Sequence, residues 1–128
     1  MKNVQIDKLF VFGDGDNIRH KIESLRFENK LGELHNFSES LTTTISRLEK
    51  MVAADLGGEV LMAGGDDILF LIDKKSYEKR DIEQLMRVFR KETGCTISFG
   101  VGRNLEQAYM NLVKAKANGK NKIVDDEL

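Results

Sequence analysis

Glu59-Val60-Leu61-Met62-Ala63-Gly64-Gly65-Asp66-Asp67-Ile68-Leu69-Phe70-Leu71-Ile72 is two short apolar runs divided by a glycine pair and an acid pair. Apolar runs joined at a Gly-Gly turn form a β-hairpin, and the two acids then stand at its tip. Adjacent carboxylates at a turn bare of other side chains repel each other, and a divalent cation bound between them would relieve that repulsion. The hairpin therefore predicts both a sheet and metal-assisted phosphate chemistry at one end of it.

Upstream, Leu9-Phe10-Val11-Phe12 reads as a buried strand, stopped by Gly13-Asp14-Gly15-Asp16, whose glycines permit a sharp turn. Ile18, Ile22 and Leu25 follow at helical spacing, with a break over Asn29 to Gly32. Leu34, Phe37, Leu41, Ile45, Leu48, Val52 and Leu56 then mark a long amphipathic helix, ended by Gly57-Gly58. Downstream of the hairpin a helix carries Ile82, Leu85, Met86 and Phe89, starting between Ser76 and Asp81 and closing at Gly94.

Cys95 to Val101 alternates as a half-buried strand does, which puts Cys95 on one face with Ile97 and Phe99 as a buried, inert thiol. Asn104 and Gln107 form a capping box for a helix bearing Leu105, Ala108, Leu112 and Ala115. Asn118-Gly119 ends that helix, Lys122 to Val124 adds an edge strand, and Asp125 to Leu128 is a frayed tail. The order contains the split βαβ pattern, so the predicted fold class is α+β: a ferredoxin-like fold with a central antiparallel sheet and helices on one face. In it the first strand lies beside the hairpin and brings Asp14 to Asp66 and Asp67, an oxygen-rich setting suited to two divalent cations and nucleotidyl transfer.

At 128 residues the chain fits one domain, residues 1–128, with a core of its own. Its net charge of -1 offers no global field for a nucleic-acid polymer, so any phosphate site is local. The single Cys95, and no signal-like apolar stretch after Met1, fit a reducing cytoplasm. No apolar run approaches the roughly 20 residues that span a bilayer, so no membrane partner is expected. His20 and His35 have no zinc or triad spacing; helix packing or surface is expected, with a nucleotide contact by His20, which follows the metal loop, as the lesser alternative.

Four stretches carry a family resemblance: Phe12-Gly13-Asp14-Gly15-Asp16-Asn17, Gly64-Gly65-Asp66-Asp67, Ser98-Phe99-Gly100-Val101-Gly102 and Ala115-Lys116-Ala117-Asn118-Gly119-Lys120-Asn121. In this order they resemble the palm-type cyclases, which include GGDEF diguanylate cyclases and the palm of type III CRISPR effector subunits. The compact chain is most similar to the minimal CRISPR polymerase family, mCpol, over residues 8 to 124. The resemblance implies that Asp14, Asp66, Asp67 and the Gly15 carbonyl hold two Mg2+ or Mn2+ ions, with the three acids catalytic. Lys116 and Lys120 match the cations that grip the triphosphate, Lys at 120 lacking the bidentate fork of Arg. Gly64 and Gly65 belong to the same nucleotide-binding hairpin, and Arg19 and Arg103 are candidate phosphate contacts. Asp16 either turns outward or assists Asp14. Lys114 and Lys122 are read as the solvated end of a helix.

The positions of two guanine-reading polar groups of diguanylate cyclases fall near Ile22 and Leu31. Without those hydrogen bonds an apolar pocket favours adenine, so ATP is the expected substrate. The family implies condensation into a cyclic dinucleotide or short cyclic oligonucleotide with release of pyrophosphate. It also implies a homodimer with opposed sites, antiphage defence, and a separate effector that reads the product. A silent palm that senses a nucleotide, and a cyclase making a cyclic mononucleotide, are the alternatives.

Overall fold

The computed structural model describes residues 7–128; the Met1–Gln5 stretch read for a leader lies outside them. The elements are β1 (Lys8–Gly15), α1 (Ile18–Phe27), α2 (Leu31–Asp55), β2 (Glu59–Gly64), β3 (Asp67–Asp73), α3 (Lys79–Thr93), β4 (Ile97–Gly102), α4 (Leu105–Ala117) and β5 (Ile123–Val124). One sheet runs β2-β3-β1-β4-β5. Its first four strands are antiparallel neighbours in the ferredoxin-like order, while β5 is added parallel to β4. Among the described residues no helix is long and apolar enough to cross a membrane.

Strand alternation divides the sheet into two faces. Leu9 and Val11 of β1 pair with Ile72 and Phe70 of β3, and Val11 with Val101 of β4. These side chains form the main core with Leu25 of α1, Leu41, Leu48 and Val52 of α2, and Ile82, Leu85 and Phe89 of α3. Each fully buried aromatic or aliphatic side chain there contributes about 1.5–3 kcal/mol.

The other face carries Phe12, Asp14, Ser98, Gly100 and Gly102, and α4 lies on it. Helices therefore cover both faces, which corrects the expectation of one. Gly100 and Gly102 explain the placement. A Cβ on Gly100 would stand 2.2 Å from the Ala108 carbonyl oxygen and the Leu112 nitrogen, so α4 packs directly on bare strand backbone. With both faces covered every residue of β4 is buried, rather than one face as the alternation suggested.

Gly13 and Gly15 likewise serve contact rather than a turn. β1 continues through Gly15, and a Cβ on Gly13 would stand 2.3 Å from the Phe99 ring. The chain reverses instead at Asp16-Asn17, where Asn17 takes a left-handed conformation with φ 60°. Cys95 precedes β4 and is half-buried, and burial raises its thiol pKa, in keeping with an inert group.

Asn104 caps α4 as expected, accepting the Gln107 N–H at 2.8 Å. The tail is not frayed. Tyr77 Oη donates to Asp125 at 2.9 Å, Gln107 and Asn111 donate to the carbonyls of Glu127 and Asp126, and Leu128 packs against the core.

Candidate functional site

Asp14 and Asp67 face each other across the β1–β3 ladder, because the register that buries Val11 against Phe70 also aligns these two acids. Gly65 takes a φ of 59°, the positive value that the first loop position of a type II′ hairpin demands, and Asp66 follows it at the tip. The Gly15 N–H donates to the Asp66 carbonyl at 3.0 Å and ties the end of β1 to the hairpin. Carboxylate oxygens of Asp14, Asp66 and Asp67 then all lie within 4.8 Å of one another.

Burial and mutual repulsion govern this cluster. Asp66 is pushed above the usual carboxylate range by desolvation and then by the Asp14 charge. Desolvation also raises Asp67, to about 7, helped by its hydrogen bonds with Asp14 and Asp66. Partly buried hard oxygens carrying surplus negative charge are the donor set that Mg2+ and Mn2+ take, so the three residues fit a divalent centre.

A stability consequence follows with a definite sign. Asp67 binds a proton in the fold up to about pH 7, whereas in the unfolded chain it ionises near the ordinary carboxylate value. Protons are thus bound on folding, and the stability of the metal-free protein falls as pH rises from about 4 to about 7, then levels. Thermal unfolding between pH 5 and 8 is expected to show this decline. Asp67→Asn should flatten it, and saturating Mg2+ should offset it at the upper end.

Asp16 neither turns outward nor joins the acid cluster. It is buried and accepts Thr96 Oγ1 at 2.7 Å, Ser98 Oγ at 2.9 Å, the Asn121 N–H at 3.0 Å and Lys116 Nζ at 2.8 Å. Burial alone would raise its pKa, but the hydrogen bonds from Lys116, Thr96 and Ser98 outweigh it and hold the carboxyl below its usual value. Motif reading missed this role. The period-two alternation that points Asp14 to the α4 face points Asp16 the same way, and that signal was available in the sequence.

Lys116 reaches down from α4 to donate to the carbonyls of Asp14 at 3.0 Å and Gly15 at 2.8 Å, with Asp14 Oδ2 at 3.2 Å. The Gly15 carbonyl, expected to face a cation, thus meets an ammonium. Lys120 has a φ of 64° after the α4 end, and its ammonium donates to the Asn17 side chain. An open groove of about 820 Å³ connects these groups, lined by Asp14, Gly15, Asp66, Lys116 and Lys120 and continuing along α1 past Arg19, His20 and Ile22.

Arg103 stands apart. It follows β4 at the end where Gly102 pairs with Phe10, whereas Asp14 pairs with Ser98, and it lines a different groove beside α4. The expected phosphate contact is corrected accordingly. Leu31 opens α2 and is 62% exposed, while Ile22 is half-buried on the groove wall. Gly64 pairs with Asp67 at the hairpin end, and a Cβ on either Gly64 or Gly65 would meet nothing within 4 Å.

Residues 10–125 match the minimal CRISPR polymerase domain, mCpol. The chain belongs to this family. Among solved structures the mCpol fold is similar to a Csm1–Csm4 cassette in complex with pppApA, with a TM-score of 0.67 and 19% identity over 91% of this chain. That match covers 20% of the Csm1–Csm4 structure's chain, so the mCpol domain spans about a fifth of its length. A diguanylate cyclase/phosphodiesterase from Caldicellulosiruptor saccharolyticus is similar at TM-score 0.63 and 17% identity, over 95% of this chain and 78% of its own. The active GGEEF domain of a diguanylate cyclase from Vibrio cholerae is similar at 0.58 and 14%, over 91% and 81%. At these identities the likeness is one of fold. A search of curated proteins gave no match. The family model thus gives the family, and the palm structures give the fold.

Proposed function

We propose that this mCpol chain, acting as a single palm unit, condenses ATP into a cyclic dinucleotide or short cyclic oligonucleotide and releases pyrophosphate. The observation that carries the proposal is the convergence of Asp14, Asp66 and Asp67 at the mouth of a groove that also holds Lys116 and Lys120. The three acids would hold two divalent cations, Mg2+ or Mn2+. Bound there, such ions would lower the pKa of a ribose hydroxyl and neutralise the departing pyrophosphate. Asp14 and Asp66 would hold the ion that activates the hydroxyl, and Asp67, paired with Asp14 across the β1–β3 ladder, would share in holding the ion that carries the triphosphate. Lys116, Lys120 and Arg19 supply positive charge for the β and γ phosphates, and the bare Gly64-Gly65 turn leaves the approach open.

Adenine is favoured by the chemistry of the groove wall. Ile22 on that wall offers no hydrogen bond to guanine, and Leu31, at the start of α2 outside the groove lining, offers none either. The related Csm1–Csm4 cassette, crystallised with pppApA, cA4 and cA3, binds adenine nucleotides. Making a cyclic dinucleotide needs two triphosphates facing each other, and a homodimer would supply the second. Support comes from the half of the sheet face left open beside α4, where Met62 and Tyr109 are exposed next to Phe12. In this proposal the enzyme works in the cytoplasm in antiphage defence, with its product read by a separate effector.

The test is incubation of the purified protein with each NTP and Mg2+ or Mn2+, followed by mass spectrometry. Consumption of ATP with a cyclic oligoadenylate product is the expected result. A cyclic mononucleotide would replace the condensation with an internal cyclisation. Binding without turnover of any NTP would leave a nucleotide sensor.

A further inference from the structure

Among the described residues Lys116 is the one cation within salt-bridge distance of the acid cluster, and it is fully engaged. An ammonium has three N–H donors. Here they meet three acceptors: the Asp14 carbonyl at 3.0 Å, the Gly15 carbonyl at 2.8 Å and Asp16 Oδ1 at 2.8 Å. No donor remains for a phosphate. The anchor end of this arrangement is rigid, since buried Asp16 is held by Thr96, Ser98 and the Asn121 N–H. The moving end is a four-carbon stem on the last turn of α4.

We propose that Lys116 is a tethered counter-cation, parked by Asp16 on the carbonyls of Asp14 and Gly15, which must vacate Gly15 before a divalent cation can use that oxygen. The inference rests on the metal reading of the acid cluster. Its consequence is an order of events. In the metal-free protein Lys116 offsets part of the cluster's charge and is withheld from substrate. Arrival of the cation frees the ammonium, and only then does it have donors for a triphosphate. Metal and triphosphate therefore assist each other through one side chain, while Lys120, which has a single partner in Asn17, faces the groove throughout. Lys116 is in this sense a positioning residue as well as a phosphate ligand.

Removing the ammonium removes a unit charge that a dication would otherwise approach closely, so Mn2+ alone should bind tighter by about tenfold or more. Lys116→Gln tests this, alone and with Asp16→Asn, the pair ensuring that no buried carboxylate is left without its cation. Calorimetric titration with Mn2+ in the absence of nucleotide is the readout for these variants. A second readout uses the wild-type protein: the Lys116 ammonium NMR signal, slowed in exchange by its three hydrogen bonds, should vanish as Mg2+ is added. Equal or weaker Mn2+ binding by both variants overturns the exchange, as does an ammonium signal unchanged at saturating Mg2+. If that happens while Asp66→Asn still abolishes Mn2+ binding, the metal reading stands and the exchange alone is lost. If no protein binds Mn2+, both fall together.

Discussion

Asp66→Asn is expected to abolish divalent-cation binding and reduce NTP turnover by about 10²–10³-fold or more, while leaving the fold intact. The two effects separate because the carboxylate costs the folded state something and supplies only the site. Desolvation and the Asp14 charge both push Asp66 above the usual carboxylate range, so a neutral amide of the same shape removes a repulsion. The hydrogen bond that matters structurally is from the Gly15 N–H to the Asp66 carbonyl, which the substitution leaves in place. The metal-free variant should unfold at the wild-type temperature or slightly above it. Wild-type protein at a hundredfold excess of Mg2+ over its dissociation constant gains about 2.7 kcal/mol, and the variant should gain none. Thermal unfolding with and without Mg2+, alongside product mass spectrometry, checks both halves. A variant that keeps its metal-induced shift would remove Asp66 from the site.

Gly100→Ala is the second large effect, and it acts through the fold. The added Cβ would stand 2.2 Å from two backbone atoms of α4, the Ala108 oxygen and the Leu112 nitrogen. Backbone cannot rotate aside as a side chain does, so the helix has to move as a body. A loss of about 3 kcal/mol or more is expected, a large part of the 5–15 kcal/mol that holds a typical domain together. Since α4 carries Lys116, the displacement should also loosen the Asp16 network and weaken nucleotide binding in whatever protein still folds. Gly32→Ala is the control. Nothing lies within 4 Å of a Cβ there, and in a helix the change should stabilise by about 0.5–1 kcal/mol. Urea denaturation of the pair measures the contrast.

The elements most legible in the sequence were those whose signal is local. The α4 cap is one, because Asn104 and Gln107 make their hydrogen bond within a single turn. The hairpin is another, since Gly65 takes the positive φ that a two-residue turn needs. Gly13 and Gly15 misled for a physical reason. A glycine that frees the backbone for a turn and one that clears space for a neighbour look identical in sequence, and the distant neighbours, Phe99 against Gly13 and Asp66 against Gly15, are known only from the fold. The tail was misjudged similarly, because its partners Tyr77, Gln107 and Asn111 are distant in the chain.

The candidate site divides along the same line. Asp14, Asp66 and Asp67 could be grouped in advance because strand order and register follow from which residues must be buried, and register then sets which acids meet. Arg103 could not be excluded in advance, since only the direction of β4 shows that it leaves the sheet at the far end. Alternation could point Asp16 to the α4 face, but its four donors, drawn from the loop before β4, from β4, from α4 and from the loop after α4, came together only in the tertiary structure. By itself the sequence determined the hairpin, the acids at its tip and their partner on the first strand, because periodicity and turn chemistry act over a few residues. The face that α4 occupies, and with it the placing of Lys116 on the Gly15 carbonyl, was decided only in the tertiary structure, because close packing of a helix on bare strand is a contact between surfaces that no local pattern encodes.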